Sequence, residues 1–138
     1  MESSAACKRI IDANLNRSKE ALRVVEDIIR FGYDDEELAT FSKSIRALLG
    51  SIAKKHIDSI EHRDTQNDCL TKVTLKEEKN RDSLFDVLIA NFKRTEESLR
   101  VLEEVFKLIN IDSSLLCKQA RYDTYILEKK VYDRYKKH

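Results

Sequence analysis

The sequence predicts an all-α fold in which four long helices form two similar hairpins. The 138-residue chain contains no proline and only two glycines, and 41% of its residues are hydrophobic and 37% are charged. This composition favours long helices with charged surfaces over β-sheets. Hydrophobic residues recur at spacings of three and four along separate stretches, as in amphipathic helices. The second half of the chain also repeats the pattern of the first.

The first two predicted helices occupy the first half of the chain. The first runs from about Ser4 to Phe31 and ends at Gly32, a residue type that commonly follows a helix. The second begins in the stretch DDEEL, where Asp34 or Asp35 is the expected N-cap and the acidic residues suit the helix dipole. Its hydrophobic stripe consists of Leu38, Phe41, Ile45, Leu48 and Ile52.

The other two predicted helices occupy the second half. The third runs from about Asn80 to Asn110. The fourth begins at IDSSLL with Asp112 or Ser113 as its N-cap, and its larger hydrophobic residues are expected to face the core or lie at its margin. These residues are Leu115, Tyr122, Tyr125, Ile126 and Tyr132.

A repeat relates the two halves. A shift of 77 positions aligns residues 12–31 with residues 89–108 and gives eight identities in twenty positions. The second and fourth helices align with a shift of 75, and the change in shift falls in a turn, where deletions are tolerated. Residues 1–138 are therefore predicted to form one helical domain, in which repeats 4–60 and 80–138 pack as a four-helix bundle.

Residues 61–79 join the two repeats and have no counterpart in them. A polar connection of about twenty residues is long for a compact domain, and such connections are usually functional or disordered. Composition alone leaves open whether this loop carries functional residues or is only a solvated crossover.

Charge and hydropathy argue against several classes of partner. Lys plus Arg total 26 and Asp plus Glu total 25, which gives a net charge of +1, so attraction to nucleic acid or an anionic membrane is not expected. No hydrophobic run approaches the ~20 residues of a bilayer span, and the N-terminus lacks the apolar segment of a signal peptide. A cytoplasmic protein is therefore predicted, in which Cys7, Cys69 and Cys117 are free thiols.

Two asparagines occupy the hydrophobic faces of the first and third helices. Asn14 lies among isoleucines, leucines and a valine on a helical wheel, and Asn91 has the same placement in the repeat. Burying an unpaired amide costs on the order of 1–3 kcal/mol, so both need partners. Either the asparagines bond each other or the loop and set helix register, or they line a polar pocket. Arg17 and Arg94 lie at the margin of the same faces and would bring charge to such a pocket.

Two glutamates lie at the edges of these faces. Glu26 stands four residues before Arg30, and Glu103 stands four residues before Lys107, the order that favours an ion pair within a helix. Solvated ion pairs are therefore expected at both positions.

The residue types favour phosphate as a ligand. There is no glycine-rich phosphate loop, and the histidines have no metal-binding spacing, but arginine beside carboxylate and amide is abundant. Guanidinium binds phosphate bidentately and stays charged. Arg46 and Arg121 recur at matched positions in the two repeats and join Arg17 and Arg94 as candidate phosphate ligands.

Three motifs occur in order along the chain: RIIDANLNRSKEALRVVEDIIRF, RDTQND and ANFKRTEESLRVLEE. Together they closely resemble a small helical kinase family of thiamin biosynthesis. Its members use ATP to phosphorylate hydroxymethylpyrimidine monophosphate to the diphosphate, and they occur alone or fused to thiamin-phosphate synthase. The family's loop usually continues Asp-Val-Gly-Thr, whereas this chain reads Asp68-Cys69-Leu70-Thr71, so the loop lacks the usual glycine.

The resemblance implies a phosphotransferase that uses ATP and Mg²⁺. Because its acceptor is already an ionised phosphate, it needs in-line positioning and charge neutralisation rather than a strong general base. It implies that Arg63 and Asp64 are the catalytic candidates. The candidate ligands of the substrate and nucleotide phosphates are Asn14, Arg17, Arg46, Thr65, Asp68, Asn91, Arg94 and Arg121.

Several alternatives stay open at this point. Asp64 and Asp68 could orient the acceptor, hold Mg²⁺ or only make turn hydrogen bonds, and the metal ligands are not identified. The chain could instead be a non-catalytic partner of thiamin-phosphate synthase or a pyrimidine-phosphate-binding module. A homodimer is a further option.

Overall fold

The computed structural model describes residues 2–73 and 80–136, and within these ranges it is helical and contains no strand. The predicted all-α class is confirmed. The four long helices are α1 (Glu2–Asp27), α2 (Glu36–Lys55), α3 (Leu84–Phe106) and α4 (Ile111–Tyr135). A π-helical turn (Ile28–Gly32) extends α1, and a 3-10 segment (Ile57–His62) follows α2.

Polar side chains set the starts of α2, α3 and α4. Asp35, Ser83 and Asn110 each accept a hydrogen bond from the backbone N–H three residues further on, at 3.0, 3.1 and 3.1 Å. Such caps satisfy N–H groups that have no partner inside the helix. The cap of α2 agrees with the prediction. The start of α3 lies a few residues later than predicted, and Asn110 takes the position expected for Asp112 or Ser113.

Contacts at the two ends of the bundle define its topology. At one end, the ring of His56 after α2 is hydrogen-bonded to Ser113 of α4 at 2.8 Å and lies 4.6 Å from the ring of Phe106 of α3. At the other end, Tyr33 before α2 stacks on Tyr135 of α4 with ring centroids 4.0 Å apart. Helices α1 and α4 therefore run in one direction and α2 and α3 in the other. The connection between α2 and α3 joins opposite ends of the bundle.

The core is formed by the inward faces of all four helices. Removing a large apolar side chain from water contributes about 1.5–3 kcal/mol, and these faces supply many such side chains. Fully buried examples are Leu22, Ile29, Leu38, Leu49, Ile52, Phe92, Leu99, Leu102 and Phe106.

The inward face of α4 differs from the prediction. Leu115, Tyr122, Tyr125, Ile126 and Tyr132 were expected to face the core or its margin, but they are 41–57% exposed. The prediction was wrong because it took side-chain hydrophobicity as a sign of burial. The helix instead packs through a row of mostly small side chains, which lets it approach its neighbours closely. This row is Cys117, Ala120, Thr124, Leu127 and Val131.

The first part of the predicted loop forms successive turns. Backbone hydrogen bonds join Asp68 to Thr65 at 3.3 Å and Thr71 to Asp68 at 3.2 Å. Among the described non-glycine residues only Asp34 has a positive φ, so the turn through positions 69 and 70 needs no glycine. The rest of the predicted loop, residues 74–79, lies outside the described residues.

Two further predictions concern the chain as a whole. All three cysteines are free, with Cys7 and Cys117 buried and Cys69 exposed, as the sequence predicted. Among the described helices, none combines the length and apolar character needed to cross a membrane.

Candidate functional site

A groove between α1 and α3 repeats the same residues on both of its walls. It is an open pocket of about 500 Å³, and five residues of each helix line it. Each of the five from α1 has a counterpart 77 positions later in α3. The groove therefore lies where a pseudo-twofold axis relating the repeats would pass. The pairs are Asn14 and Asn91, Arg17 and Arg94, Glu20 and Glu97, Ala21 and Ser98, and Val24 and Val101.

A pair of serines joins the two helices beside this groove. The hydroxyl groups of Ser18 and Ser98 are hydrogen-bonded to each other at 2.7 Å, and both side chains are buried. Small hydroxyl side chains let α1 and α3 approach closely while the buried polar atoms keep a partner. This contact sets the register in which the two Asn-Arg-Glu sets face one groove.

Both asparagines are held by their own helices. The side-chain amide of Asn14 donates to the carbonyl of Ile10 at 2.9 Å, and that of Asn91 donates to the carbonyl of Val87 at 2.8 Å. Arg17 donates to the side-chain oxygen of Asn14 at 3.5 Å. The amides thus have partners while they line the groove, which fits the pocket interpretation. Asn14 also helps to orient the arginine beside it.

The charged residues of the groove are accessible to a ligand. Arg17 and Arg94 are exposed, and so are Glu20 and Glu97, one turn further along each helix. The sequence analysis did not select the two glutamates as site residues. Glu20 and Glu97 are identical residues at matched positions of the repeat, and this match could have identified them from the sequence.

Arg46 and Arg121 do not line the groove. Arg46 donates to a carboxylate oxygen of Glu26 at 2.8 Å, and Arg121 donates to Glu103 at 2.9 Å. The hydrogen bond to Glu26 raises the pKa of Arg46. Both glutamates and Arg121 are buried, so these pairs tie α1 to α2 and α3 to α4 at equivalent positions.

The ion pairs predicted within helices are wrong. Glu26 was expected to pair with Arg30, and Glu103 with Lys107, but each glutamate faces an arginine of the neighbouring helix. Lys107 instead lies 3.0 Å from Glu104. Helical spacing identifies neighbours along one helix and carries no information about which side chain an adjacent helix places opposite.

The segment that contains the RDT motif packs against α1. Arg63 donates to both carboxylate oxygens of Asp12, at 2.7 and 2.6 Å, and this pair raises the pKa of Arg63. Asp12 was not a sequence candidate, because its counterpart in the repeat is Ile89 and no motif singled it out. The four site residues predicted in the loop meet α1 around a small cavity of about 140 Å³, which we call the loop cavity. Its lining is Arg63, Asp64, Thr65 and Asp68 with Arg9, Asp12, Ala13 and Asn16.

The two loop aspartates make turn hydrogen bonds. Asp64 accepts from the side-chain amide of Asn67 at 2.9 Å, and Asp68 accepts from the backbone N–H of Leu70 at 2.9 Å. Both carboxylates also line the loop cavity. This cavity adjoins the groove along α1, since Ala13 and Asn16 are the chain neighbours of Asn14 and Arg17.

A second pocket adjoins the groove along α3. It lies between α3 and α4 and has an open volume of about 650 Å³. Four of the α3 residues that line this pocket align, by the 77-residue shift, with the four α1 residues that line the loop cavity. We call this second pocket the aromatic pocket. Its lining includes Phe85, Ile89, Lys93, Tyr125, Glu128 and Tyr132.

A buried carboxyl group lies next to the aromatic pocket. Glu96 is 4% exposed and lies 3.5 Å from Lys93, which also contacts Glu128 at 2.9 Å. Burial and the nearby Glu128 carboxylate raise the pKa of Glu96 to about 8. Burial thus favours the protonated, uncharged form of Glu96. The repeat offered no signal for it, because the matched residue in α1 is the exposed Lys19.

A model of the ThiD2 family matches residues 9–130 of the chain. Curated relatives bear the name thiamine-phosphate synthase. The one from Nostoc punctiforme is 45% identical over 121 residues, which cover 87% of this chain and 34% of the relative. The one from Synechocystis is 45% identical over 127 residues, covering 91% and 36%, and the one from Thermosynechococcus vestitus is 41% identical over 121 residues, covering 88% and 34%.

The chain thus spans about one third of the length of the curated relatives that it matches. No solved structure gives a significant match.

Proposed function

This chain belongs to the ThiD2 family, and we propose that it phosphorylates 4-amino-5-hydroxymethyl-2-methylpyrimidine monophosphate with ATP. The product is the pyrimidine diphosphate, an intermediate of thiamin biosynthesis. One observation carries the proposal: two matched Asn-Arg-Glu sets face a single groove, as suits the joining of two phosphates. The relatives named thiamine-phosphate synthase support the pathway, and the family resemblance supplies the substrate.

The groove suits this reaction because both substrates are anionic there. An oxygen of the acceptor monophosphate attacks the γ-phosphorus of ATP, a new P–O bond forms, and the bond between the γ-phosphorus and the bridging oxygen breaks to release ADP. The acceptor oxygen is already ionised, so positioning and charge neutralisation dominate. In this proposal one of Arg17 and Arg94 holds the nucleotide phosphates and the other holds the pyrimidine phosphate.

Arg63 is proposed to stabilise the transferring phosphoryl group from the side of the loop cavity. Its pair with Asp12 occupies two donor nitrogens, whereas a guanidinium carries five N–H donors. Asp12 can therefore keep Arg63 oriented while its remaining donors contact phosphate. Asp64, Thr65 and Asp68 line the same cavity and would shape the loop around the reacting groups.

Magnesium enters this proposal as part of the nucleotide substrate. Within residues 2–73 and 80–136, no group of three His, Cys, Asp or Glu side chains is arranged to hold a metal ion. We propose that Mg²⁺ arrives bound to ATP and that Glu20 and Glu97, which line the groove, would interact with it through bound water.

The proposal is tested by incubating the chain with ATP, Mg²⁺ and the pyrimidine monophosphate, and separating the products by chromatography. ADP and the pyrimidine diphosphate should form in equal amounts. Free hydroxymethylpyrimidine should be a poor acceptor, because the arginines must grip an existing phosphate. Arg23→Ala, an exposed arginine of α1 outside the groove, is the matched control and should leave the rate unchanged.

A second candidate is a binding module that works with thiamin-phosphate synthase without catalysing phosphorylation. The name of the relatives and the one-third share of their length favour it. Ligand-induced thermal stabilisation without product would support this candidate and overturn the kinase proposal. Size-exclusion chromatography with a separate synthase would show whether the two associate or whether the chain pairs with a second copy of itself.

A further inference from the structure

The aromatic pocket is lined by exposed aromatic rings. Tyr125 and Tyr132 of α4 are 41% and 45% exposed, and the ring of Phe85 lies 6.3 Å from that of Tyr132. The two tyrosines are seven residues apart, so they share one face of the helix. Flat apolar rings at the edge of an open pocket are suited to stacking on a planar ligand.

Among the charged side chains that line the pocket, Lys93 places a hydrogen-bond donor directly beside an acceptor of Glu128. The ammonium group of Lys93 lies 2.9 Å from a carboxylate oxygen of Glu128, and both residues line the pocket. An ammonium group only donates, and an ionised carboxylate only accepts. The complementary ligand edge carries an acceptor next to a donor, as does a ring nitrogen next to an exocyclic amino group.

Glu96 holds this donor and acceptor in place. One of its oxygens lies 3.5 Å from Lys93, and the other is buried without a hydrogen-bond partner among the described residues. As a neutral acid, Glu96 can donate its proton to Glu128 and satisfy that oxygen. The trio of Lys93, Glu128 and Glu96 then has no net charge, which suits an uncharged ring.

We propose that the aromatic pocket binds the ring of an amino-substituted nitrogen heterocycle, stacked on Tyr125 and Tyr132. Its amino group donates to Glu128, and its adjacent ring nitrogen accepts from Lys93. This inference rests on the proposed function. Both substrates of the proposed reaction carry this edge, the pyrimidine monophosphate on its aminopyrimidine ring and ATP on its adenine.

The position of the pocket agrees with such a substrate. Ala90 and Lys93 of the pocket are the chain neighbours of Asn91 and Arg94 of the groove. A ring in the pocket can therefore extend its phosphate group towards Arg94. The loop cavity on the other flank is smaller and polar, so the structure assigns only one of the two rings to an aromatic site.

The stacking is tested by isothermal titration calorimetry with two probes. These are the pyrimidine monophosphate and a non-hydrolysable ATP analogue with Mg²⁺. Tyr125→Ala should weaken the binding of one probe at least tenfold and that of the other less than twofold. The affected probe identifies which ring the pocket binds. Tyr122→Ala is the matched control, because Tyr122 is an exposed tyrosine of the same helix outside the pocket. This variant should bind both probes as the wild type does.

The recognised edge is tested with analogues in which an oxo group replaces the amino group. For the ring identified above, the wild type should prefer the amino form at least tenfold, because the oxo form reverses the edge and places a carbonyl opposite Glu128 and a ring N–H opposite Lys93. Glu128→Ala should abolish this preference. Melting temperatures of all variants verify that they fold.

The outcomes separate this inference from the kinase proposal. If the wild type makes diphosphate while Tyr125→Ala changes neither affinity, or if Tyr122→Ala is equally harmful, the pocket assignment fails alone. If Tyr125→Ala weakens one probe but the wild type makes no diphosphate, the kinase proposal fails and the pocket assignment stands. If the wild type binds neither probe, both fail.

Discussion

The loop cavity and the aromatic pocket occupy equivalent places beside the central groove but offer different chemistry. Beside α1, Arg63 and Asp12 form a close ion pair under a polar loop. Beside α3, the position equivalent to Asp12 is Ile89, and exposed tyrosines replace the loop. The groove walls between them keep the same Asn-Arg-Glu set on both sides.

The difference suggests how a repeated fold can serve a reaction between two substrates. In the proposed reaction both substrates carry phosphates, and the matched walls of the groove suit this shared group. Transfer from one phosphate to the other needs distinct donor and acceptor positions, and identical flanks would not distinguish them. In the proposed reaction the unequal flanks would provide that distinction. Four predictions follow from the comparison of the two halves, in order of decreasing expected effect.

The buried ion pairs should differ in strength between the two halves. Arg121→Ala should lower the free energy of unfolding by about 3–5 kcal/mol, because it leaves Glu103 buried without its partner. Arg46→Ala should cost less, since the Arg46 side chain is 27% exposed and that of Arg121 only 9%. Urea unfolding measures both, with the exposed Arg100→Ala as control. Equal losses of unfolding free energy for the two variants would show that solvent screens the two ion pairs to the same extent.

The groove arginines should act on different substrates. Arg17→Ala and Arg94→Ala should each lower kcat/KM by about 10²–10³-fold, the range for losing one preorganised charge-stabilising donor. Each should raise the Michaelis constant of a different substrate, ATP or the pyrimidine monophosphate. Steady-state kinetics with each substrate varied in turn measures this. Equal damage to the same substrate would show that the walls do not divide the two phosphates.

The loop cavity should affect turnover more than stability. Arg63→Ala should lower kcat by about 10–100-fold, as expected for the loss of a charge-assisted hydrogen bond worth ~1.5–3 kcal/mol. Asp12→Asn keeps a hydrogen-bond acceptor and should have a smaller effect through the orientation of Arg63. Arg100→Ala, which removes an exposed arginine outside the groove and both flanking cavities, is the control and should leave kcat unchanged. An unchanged kcat in Arg63→Ala would remove this residue from the proposed mechanism.

The buried Glu96 should make stability depend on pH. Its pKa is raised from 4.5 to about 8, so between these values the folded chain holds a proton that the unfolded chain has released. Stability should therefore fall as pH rises through this window, by up to about 1.4 kcal/mol per pH unit. Glu96→Gln should flatten that slope in urea unfolding at pH 6, 7 and 8. Lys19→Gln, the matched exposed position of α1, should leave the slope as it is in the wild type.

Local patterns predicted the parts of the fold that depend on local interactions. Residue spacing and composition identified the four helices, and capping chemistry limited the N-cap of α2 to Asp34 or Asp35, because these features depend on contacts within a few residues. The repeat placed Asn14 with Asn91 and Arg17 with Arg94 in equivalent settings. The structure then brought both pairs to one groove.

Contacts between distant segments could not be predicted in the same way. The pairing of Arg63 with Asp12 joins positions 51 residues apart, and no motif linked them. Arg46 and Arg121 were predicted as phosphate ligands because they recur, and only the structure shows that they form matched ion pairs with glutamates of neighbouring helices. The tyrosines of α4 were expected near the core, and only the close approach of small residues on its other face leaves them exposed.

The sequence by itself determined an all-helical chain with a repeated motif and two arginine-bearing faces. These properties follow from backbone hydrogen bonding and side-chain periodicity, which act over a few residues. Only the tertiary structure decided that the two faces share one groove, that one flank is polar and the other aromatic, and that Glu96 is buried beside a second carboxylate. Each of these depends on which side chains meet across helices and how much water remains between them, and no linear spacing encodes that.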